Sequence, residues 1–212
     1  MKKMWDSRYA SEDYAYGIYP NDFFKYAIDK YKLAGKILLP AEGEGRNAVY
    51  AAKNGLEVTA FDSSKEGKRK ALKLAEKENV AINYEVGDFF DLNIINQQYD
   101  CTALIYAHFP PPILLKYHKK IAELVKPGGY LILEGFSKGN LELRKQNPNI
   151  GGPDKLEMLF SEDSIKKDFP DFEIIQLEEV TIELHEGKFH NGTGKVIRFV
   201  GKKQHNTLSK LY

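Results

Sequence analysis

From Lys36 onward the chain alternates short apolar runs with amphipathic stretches, which predicts strands separated by helices and a largely parallel sheet covered on both faces. The apolar runs are KILLP at 36–40, LEVTAFD ending at Asp62, INYEV before Gly87, YDCTALIYA to about Ala107, and YLILEGF after Gly129. Between them, a helix near 45–53 stops at Gly55, a C-terminal glycine signal. The next helix opens on Ser63-x-x-Glu66, a possible capping box, and sets Ala71, Leu74 and Ala75 on one face. Pro111 and Pro112 fit the first turn of a further helix, with a stripe of Leu114, Tyr117, Ile121, Leu124 and Val125. Phe24, Ala27, Ile28 and Tyr31 give a helix over 21–33 ahead of the first strand.

Beyond the alternating region, residues 137–160 are irregular and contain Gly151-Gly152-Pro153, a lid-like insertion. A short helix from Ser161 precedes the long strand FEIIQLEEVTIEL. A turn over His185–Gly194 leads into KVIRFVGKK, so the last two strands read as an antiparallel hairpin at the sheet edge. Residues 1–203 then make one domain, and 204–212 a polar, disordered tail. Residues 1–20 carry Trp5, Tyr9, Tyr14, Tyr16 and Tyr19, and a segment this aromatic is expected to fold over the open edge of a site.

Charge narrows the partners. With 31 basic and 30 acidic residues, the chain has no electrostatic footprint for nucleic acid. Lys65–Lys70 and Lys116–Lys120 fall on helices and read as solvated faces. Cys101, the single cysteine, lies in an apolar strand and is expected to be buried and inert. Neither a signal-peptide pattern nor an apolar run of about 18 residues is present, so a cytoplasmic protein without a membrane partner is expected, as a monomer or homodimer. The Asn191-Gly192-Thr193 sequon then reads as a turn, and no set of His, Asp and Glu has zinc-type spacing.

Ligands of open α/β sheets sit beyond the carboxyl ends of the strands, where strand order reverses. The four relevant ends here carry Pro40-Ala41-Glu42-Gly43-Glu44-Gly45-Arg46, then Asp62, then Asp88-Phe89, then Ala107-His108. Gly43-x-Gly45-x-x-Ala48 satisfies a dinucleotide pattern as well. Glu42 and Glu44 weigh against a pyrophosphate, which two nearby carboxylates would repel, and favour a cationic sulfonium cofactor. Arg46 and the option of solvent-facing glutamates pull the other way.

ILLPAEGEGRNAVYAAKNGLEVTAFDSS resembles the cofactor-binding segment of class I S-adenosylmethionine-dependent methyltransferases. WDSRYASEDYAYGIYPNDF, GDFFDL, HFPP and LVKPGGYLILEGF follow in the order of the tellurite-resistance-type and thiopurine/thiol branch. That resemblance implies a three-layer Rossmann-like sheet, mostly parallel with an antiparallel edge hairpin. It implies Ala41, Glu42 and Gly43 at the methionine part of the cofactor, Asp62 at the ribose hydroxyls, Asp88 with Phe89 at the adenine, and Ser63 among the cofactor-binding residues. Ala107 and His108 would flank the methyl donor, and Arg8 and Tyr16 would close the site. Relatives typically read LDLGCG where this chain has Leu39 and Ala41, so Glu42 is a candidate for the ammonium contact.

The activity so implied is methyl transfer from S-adenosylmethionine to a small nucleophile such as a thiol or metalloid oxyanion, with S-adenosylhomocysteine as product. His108 is the candidate general base, against a structural role at the strand end, while His185 and His190 read as solvent-facing. Tyr16 and Tyr106 can orient a substrate, Arg144, Lys145 and Lys155 can attract an anion, and residues 1–20 and 137–160 are expected to set substrate identity. A non-catalytic binder of the cofactor or its spent form, and an NAD-dependent oxidoreductase, stay open as alternatives.

Overall fold

A computed structural model describes residues 2–205, and the expected tail lies outside the described residues from 206 onward. Gln204, assigned to that tail, is held by its N–H on Asp171 O at 3.0 Å.

Seven strands form one sheet in the order β3-β2-β1-β4-β5-β7-β6. These are β1 Lys36–Pro40, β2 Glu57–Asp62, β3 Asn83–Val86, β4 Tyr99–Ile105, β5 Val125–Phe136, β6 Phe172–Glu186 and β7 His190–Lys203. The first five run parallel, and β7 joins β5 and β6 antiparallel. Strand order reverses between β1 and β4, which makes their carboxyl ends the topological switch point. The near-continuous apolar runs are explained by burial on both faces. On one face α2 (Asp22–Tyr31), α3 (Arg46–Lys53) and α4 (Lys65–Lys77) cover Ile37, Leu39, Ala60 and Ile132. On the other, α5 (Pro111–Leu124) and α7 (Glu162–Asp168) cover Leu38, Leu104, Leu131 and Leu133.

Several local readings shift. The cap of α4 is Ser64, whose hydroxyl accepts from Gly67 N, so the capping box expected at Ser63 and Glu66 does not form. Val125 opens β5 instead of ending the preceding helix stripe. The last turn is only 187–189, and His185 and His190 lie in the strands that flank it. Lys70 is not on a solvated face. It is buried, pairs with Glu44 at 2.5 Å and donates to Ser11 O and Asp13 O at 2.9 and 2.6 Å. Cys101 is buried, and desolvation pushes its thiol well up from the ordinary range.

An unforeseen helix, α1 (Lys2–Tyr9), packs across α4. Residues 137–160 hold a further helix, α6 (Asn140–Gln146), and are tied at both ends by a bridge between Ser137 and Phe160. Ile150 and Leu159 join Phe136, Leu184 and Val196 in a small core beneath this segment. The β6–β7 hairpin projects past the end of β5, and its tip docks on residues 15–17, where Lys188 N–H donates to Ala15 O at 2.9 Å.

Candidate functional site

The two strand ends that flank the switch point share an unusual backbone. Ala41 follows β1 with φ 53°, and Tyr106 follows β4 with φ 52°. Left-handed geometry is costly for residues with a Cβ, and such strain clusters where a ligand or a catalytic group must be presented. Hydrogen bonds hold both turns. Glu42 N–H donates to Phe61 O at 3.1 Å, and Tyr106 N–H donates to Glu134 O at 2.7 Å.

The loop after β1 wraps onto α3. Glu42 Oε1 accepts from the N–H groups of Asn47 and Ala48 at 2.9 and 2.8 Å, so the carboxylate itself fills the anion-binding N-terminus of that helix. Burial nonetheless pushes Glu42 up to about 7, with the two amides and Arg46 opposing the rise. Glu44 does not face a ligand. It is buried against Lys70 and accepts from Ala15 N at 2.7 Å. Gly43 has φ 64°, and a Cβ there would lie 2.7 Å from the Tyr9 hydroxyl, so a side chain at this point would collide with α1. The Gly43 carbonyl accepts from the Tyr84 hydroxyl at 2.6 Å.

Asp62, at the end of β2, is buried, and desolvation raises its carboxyl above the ordinary range. Its oxygens accept from Gly43 N at 3.1 Å and Ser64 N at 2.8 Å. Ser63 adds backbone and side-chain hydrogen bonds to the same carboxyl. Ser63 beside it is half-buried. Asp88 is exposed and caps the short turn Phe89–Asp91. Phe89 is fully buried and stacks on Phe61, with centroids 5.0 Å apart at 3°, so its ring belongs to the core. The half-exposed ring next to Asp88 is Phe90, which carries Lys116 Nζ 3.9 Å above its centroid.

The N-terminal segment covers this loop. Asp6 Oδ1 accepts from Ser64 Oγ and Lys65 N at 2.7 and 2.9 Å, which pins α1 over the start of α4. Arg8 donates to the Tyr16 hydroxyl at 2.8 Å and lies over the rings of Trp5 and Phe189. Arg8 and Tyr16 therefore meet each other and the hairpin tip.

Ala107 is buried, and His108 spans two elements. Its Nδ1 donates to Met158 O at 2.8 Å, while its Nε2 accepts from Phe136 N at 3.0 Å, an arrangement that fixes the neutral tautomer. Burial lowers it to about 4. Both nitrogens are thus engaged in tying the end of β5 to the 137–160 segment. His190 is buried, contrary to the solvent-facing expectation. Its Nδ1 lies 2.8 Å from Glu186, and Tyr16 and Tyr106 pack on its ring. Arg144 donates to Gly152 O at 3.0 Å, and Lys145 pairs with Glu142 on the surface.

Sequence reasoning missed the polar network beside these residues. Glu134 on β5, 1% exposed, accepts from Arg198 Nε at 2.7 Å, Asn21 Nδ2 at 2.6 Å and the Tyr106 hydroxyl at 3.1 Å. Arg46 pairs with Glu186 at 3.0 Å, and that pairing with His190 holds the Glu186 carboxyl down at about 2. A signal existed in the sequence: opposite charges stand alone inside the apolar strands YLILEGF and KVIRFVGKK, and these strands pair with Glu134 facing Arg198. Among the described residues no group of three or more His, Cys, Asp and Glu is disposed to hold a metal. No helix among them is long and apolar enough to cross a membrane.

Residues 37–129 match the methyltransferase domain family. A probable S-adenosyl-L-methionine-dependent methyltransferase, TehB of Haemophilus influenzae, is 26% identical over 161 residues, covering 72% of this chain and 53% of the relative. The chain thus spans about half the length of the curated relatives it matches. A solved structure from work on conversion of a disulfide bond into a thioacetal group during echinomycin biosynthesis superimposes with a TM-score of 0.78. It is 18% identical and covers 99% of this chain and 94% of its own. The crystal structure of Haemophilus influenzae TehB gives 0.66 at 20% identity, over 96% and 67% of the two chains. Magnesium protoporphyrin IX methyltransferase from Synechocystis, with bound SAH, gives 0.65 at 17% identity, over 85% and 80%. These likenesses agree with the seven-stranded α/β fold and its antiparallel edge pair.

Proposed function

We propose that this chain, which carries a class I methyltransferase domain and resembles the TehB branch, transfers a methyl group from S-adenosylmethionine to a small-molecule nucleophile. The observation that carries the reading is Glu42. A pyrophosphate cofactor needs the N-terminal amides of the helix after β1, and here a carboxylate of the chain itself occupies them. A second negative charge at that spot is repelled, whereas an ammonium is attracted.

The donor set suits an adenosyl sulfonium. Asp62, at the end of β2, is suited to the ribose hydroxyls, and Glu42 and the Gly43 backbone are suited to the methionine end. Asp88 and the open ring of Phe90 are suited to the adenine, with Ser63 and Ala107 along the wall. Arg8 and Tyr16 close the site from above. When bound, the cofactor supplies an activated methyl carbon, so the protein contributes chiefly by positioning and by excluding water. His108 serves as a positioning residue in this account, since both its nitrogens are bonded to the backbone. Thiols and metalloid oxyanions are the acceptor classes that the resemblance implies.

Thermal-shift measurements with S-adenosylmethionine, S-adenosylhomocysteine and NAD test the cofactor. Stabilisation by the first two alone is expected, and stabilisation by NAD alone overturns the reading. Incubation with methyl-labelled cofactor and a panel of thiols and oxyanions separates transfer from mere binding.

A further inference from the structure

We infer that the cavity between the N-terminal segment, the end of β4 and the β6–β7 hairpin is the methyl-acceptor site, built for an uncharged or cationic acceptor whose reacting atom carries a proton, with Tyr106 taking that proton and passing its own to Glu134. The inference rests on the methyl-transfer reading above and narrows its substrate class.

The cavity measures about 430 Å³, room for a small molecule. Its wall includes Tyr16, Asn21, Arg46, Tyr106, Glu134 and Glu186. Two of these connect it to the cofactor loop. Arg46 opens the helix that follows the loop, and Tyr106 is the first residue past β4 at the switch point. The strained backbone of Tyr106 holds its ring between Phe136 and His190, at 4.8 and 4.5 Å, with the hydroxyl on Glu134 Oε1.

The charges select the acceptor. Both arginines of the wall are paired, Arg46 with Glu186 and Arg198 with Glu134. Lining residues Asp22 and Glu183 add negative charge. Four carboxylates of the lining, Asp22, Glu134, Glu183 and Glu186, face only two arginines whose charge is already matched, so an oxyanion meets net repulsion while a neutral or cationic guest does not. That disfavours selenite-like and tellurite-like acceptors and favours compounds with a reacting O–H, N–H or S–H.

A protic nucleophile must shed its proton, and the geometry gives it a route. The Tyr106 hydroxyl donates to Glu134, so its oxygen is left to accept from the acceptor. As the acceptor's lone pair forms the bond to the methyl carbon, its proton moves to Tyr106 Oη. The Tyr106 proton moves to Glu134 Oε1, and the donor sulfur keeps the electron pair of the broken bond. The groups acting on Glu134 are Arg198 from β7, Asn21 ahead of α2 and Glu186 from β6, besides Tyr106 itself, and Arg46 from α3 lines the same cavity.

The test uses the full chain with methyl-labelled S-adenosylmethionine and a panel of small alkylamines, phenols, alcohols and thiols set against selenite and tellurite. The expected result is transfer to members of the protic set only. Calorimetry on the S-adenosylhomocysteine-loaded protein should show the same compounds binding without turnover. Tyr106→Phe should lower kcat by about 10²–10⁴-fold with KM nearly unchanged, the usual weight of a proton-transfer group. Glu134→Gln should lower kcat and flatten its pH profile. If that variant does not fold, Tyr106→Phe with the calorimetry decides alone. Preferential methylation of selenite or tellurite overturns the inference. So does failure of every protic compound in a protein that binds the cofactor, or a Tyr106→Phe defect confined to KM. Failure of the cofactor itself to bind instead removes the methyl-transfer reading.

Discussion

Asp62 and Glu42 do opposite work with the same functional group. Asp62 accepts from Gly43 N and Ser64 N and is the proposed ribose contact, so Asp62→Ala should weaken S-adenosylmethionine binding by about 1–3 kcal/mol, the usual cost of stranding hydrogen-bond partners. Unchanged affinity in a titration would remove it from the ribose site. Glu42 caps α3 and is raised to about 7. Its carboxyl in the unfolded chain ionises near the ordinary 4.5, so between these values the folded state holds the extra proton. The neutral form therefore contributes stability that is complete below about 4.5 and lost as pH rises through 7. Glu42→Gln cannot titrate. Wild type should lose about 3 kcal/mol relative to that variant from pH 4.5 to 8, measured by denaturant unfolding. A constant difference across that range would show that Glu42 is ionised throughout. These two carboxylates were legible as site candidates from their places at strand ends. Their hydrogen bonds were not, because the partners are backbone amides whose direction depends on the left-handed turn at Ala41.

At the scale of elements, the cover over the site is built from segments far apart in sequence. Gly187 at the hairpin tip has φ 63°, and a Cβ there would lie 2.4 Å from Ala15 O. Gly187→Val should lift the tip off residues 15–17 and expose the N-terminal segment to limited proteolysis at a raised rate. A digestion pattern identical to wild type would mean that the contact holds nothing in place. Lys70 anchors the same segment from below through Glu44, Ser11 and Asp13. Lys70→Met should cost about 3–5 kcal/mol, because it strands Glu44 in a buried site, and unfolding by urea measures it. Less than about 1 kcal/mol would make the pair expendable. Sheet strands and helices were readable because burial on both faces or on one stripe imprints a period. Helix α1 was not, since KKMWDSRY has no apolar stripe and is held by Asp6 on the start of α4 and by the buried Tyr9. His190 was misread for a related reason. It faces Glu186 directly across a hairpin whose turn is shorter than the glycines suggested.

Over the whole molecule, the parallel half of the sheet presents the loop after β1, the proposed cofactor loop, and the antiparallel half closes a polar cavity against it. The hairpin brings Glu186 and His190, β5 brings Glu134, and the N-terminal segment brings Tyr16 and Asn21 to one place beside the switch point. The fold was thus open to sequence reading, and the loop and the strand ends pointed to the proposed cofactor class. The cavity was not, because its walls come from segments far apart in the sequence that only tertiary packing unites. Titration calorimetry of the full chain with S-adenosylmethionine, S-adenosylhomocysteine and NAD addresses the central claim most directly. Saturable binding of both adenosyl-sulfur compounds with no heat from NAD is the predicted result. Binding of NAD with neither of the other two would contradict it.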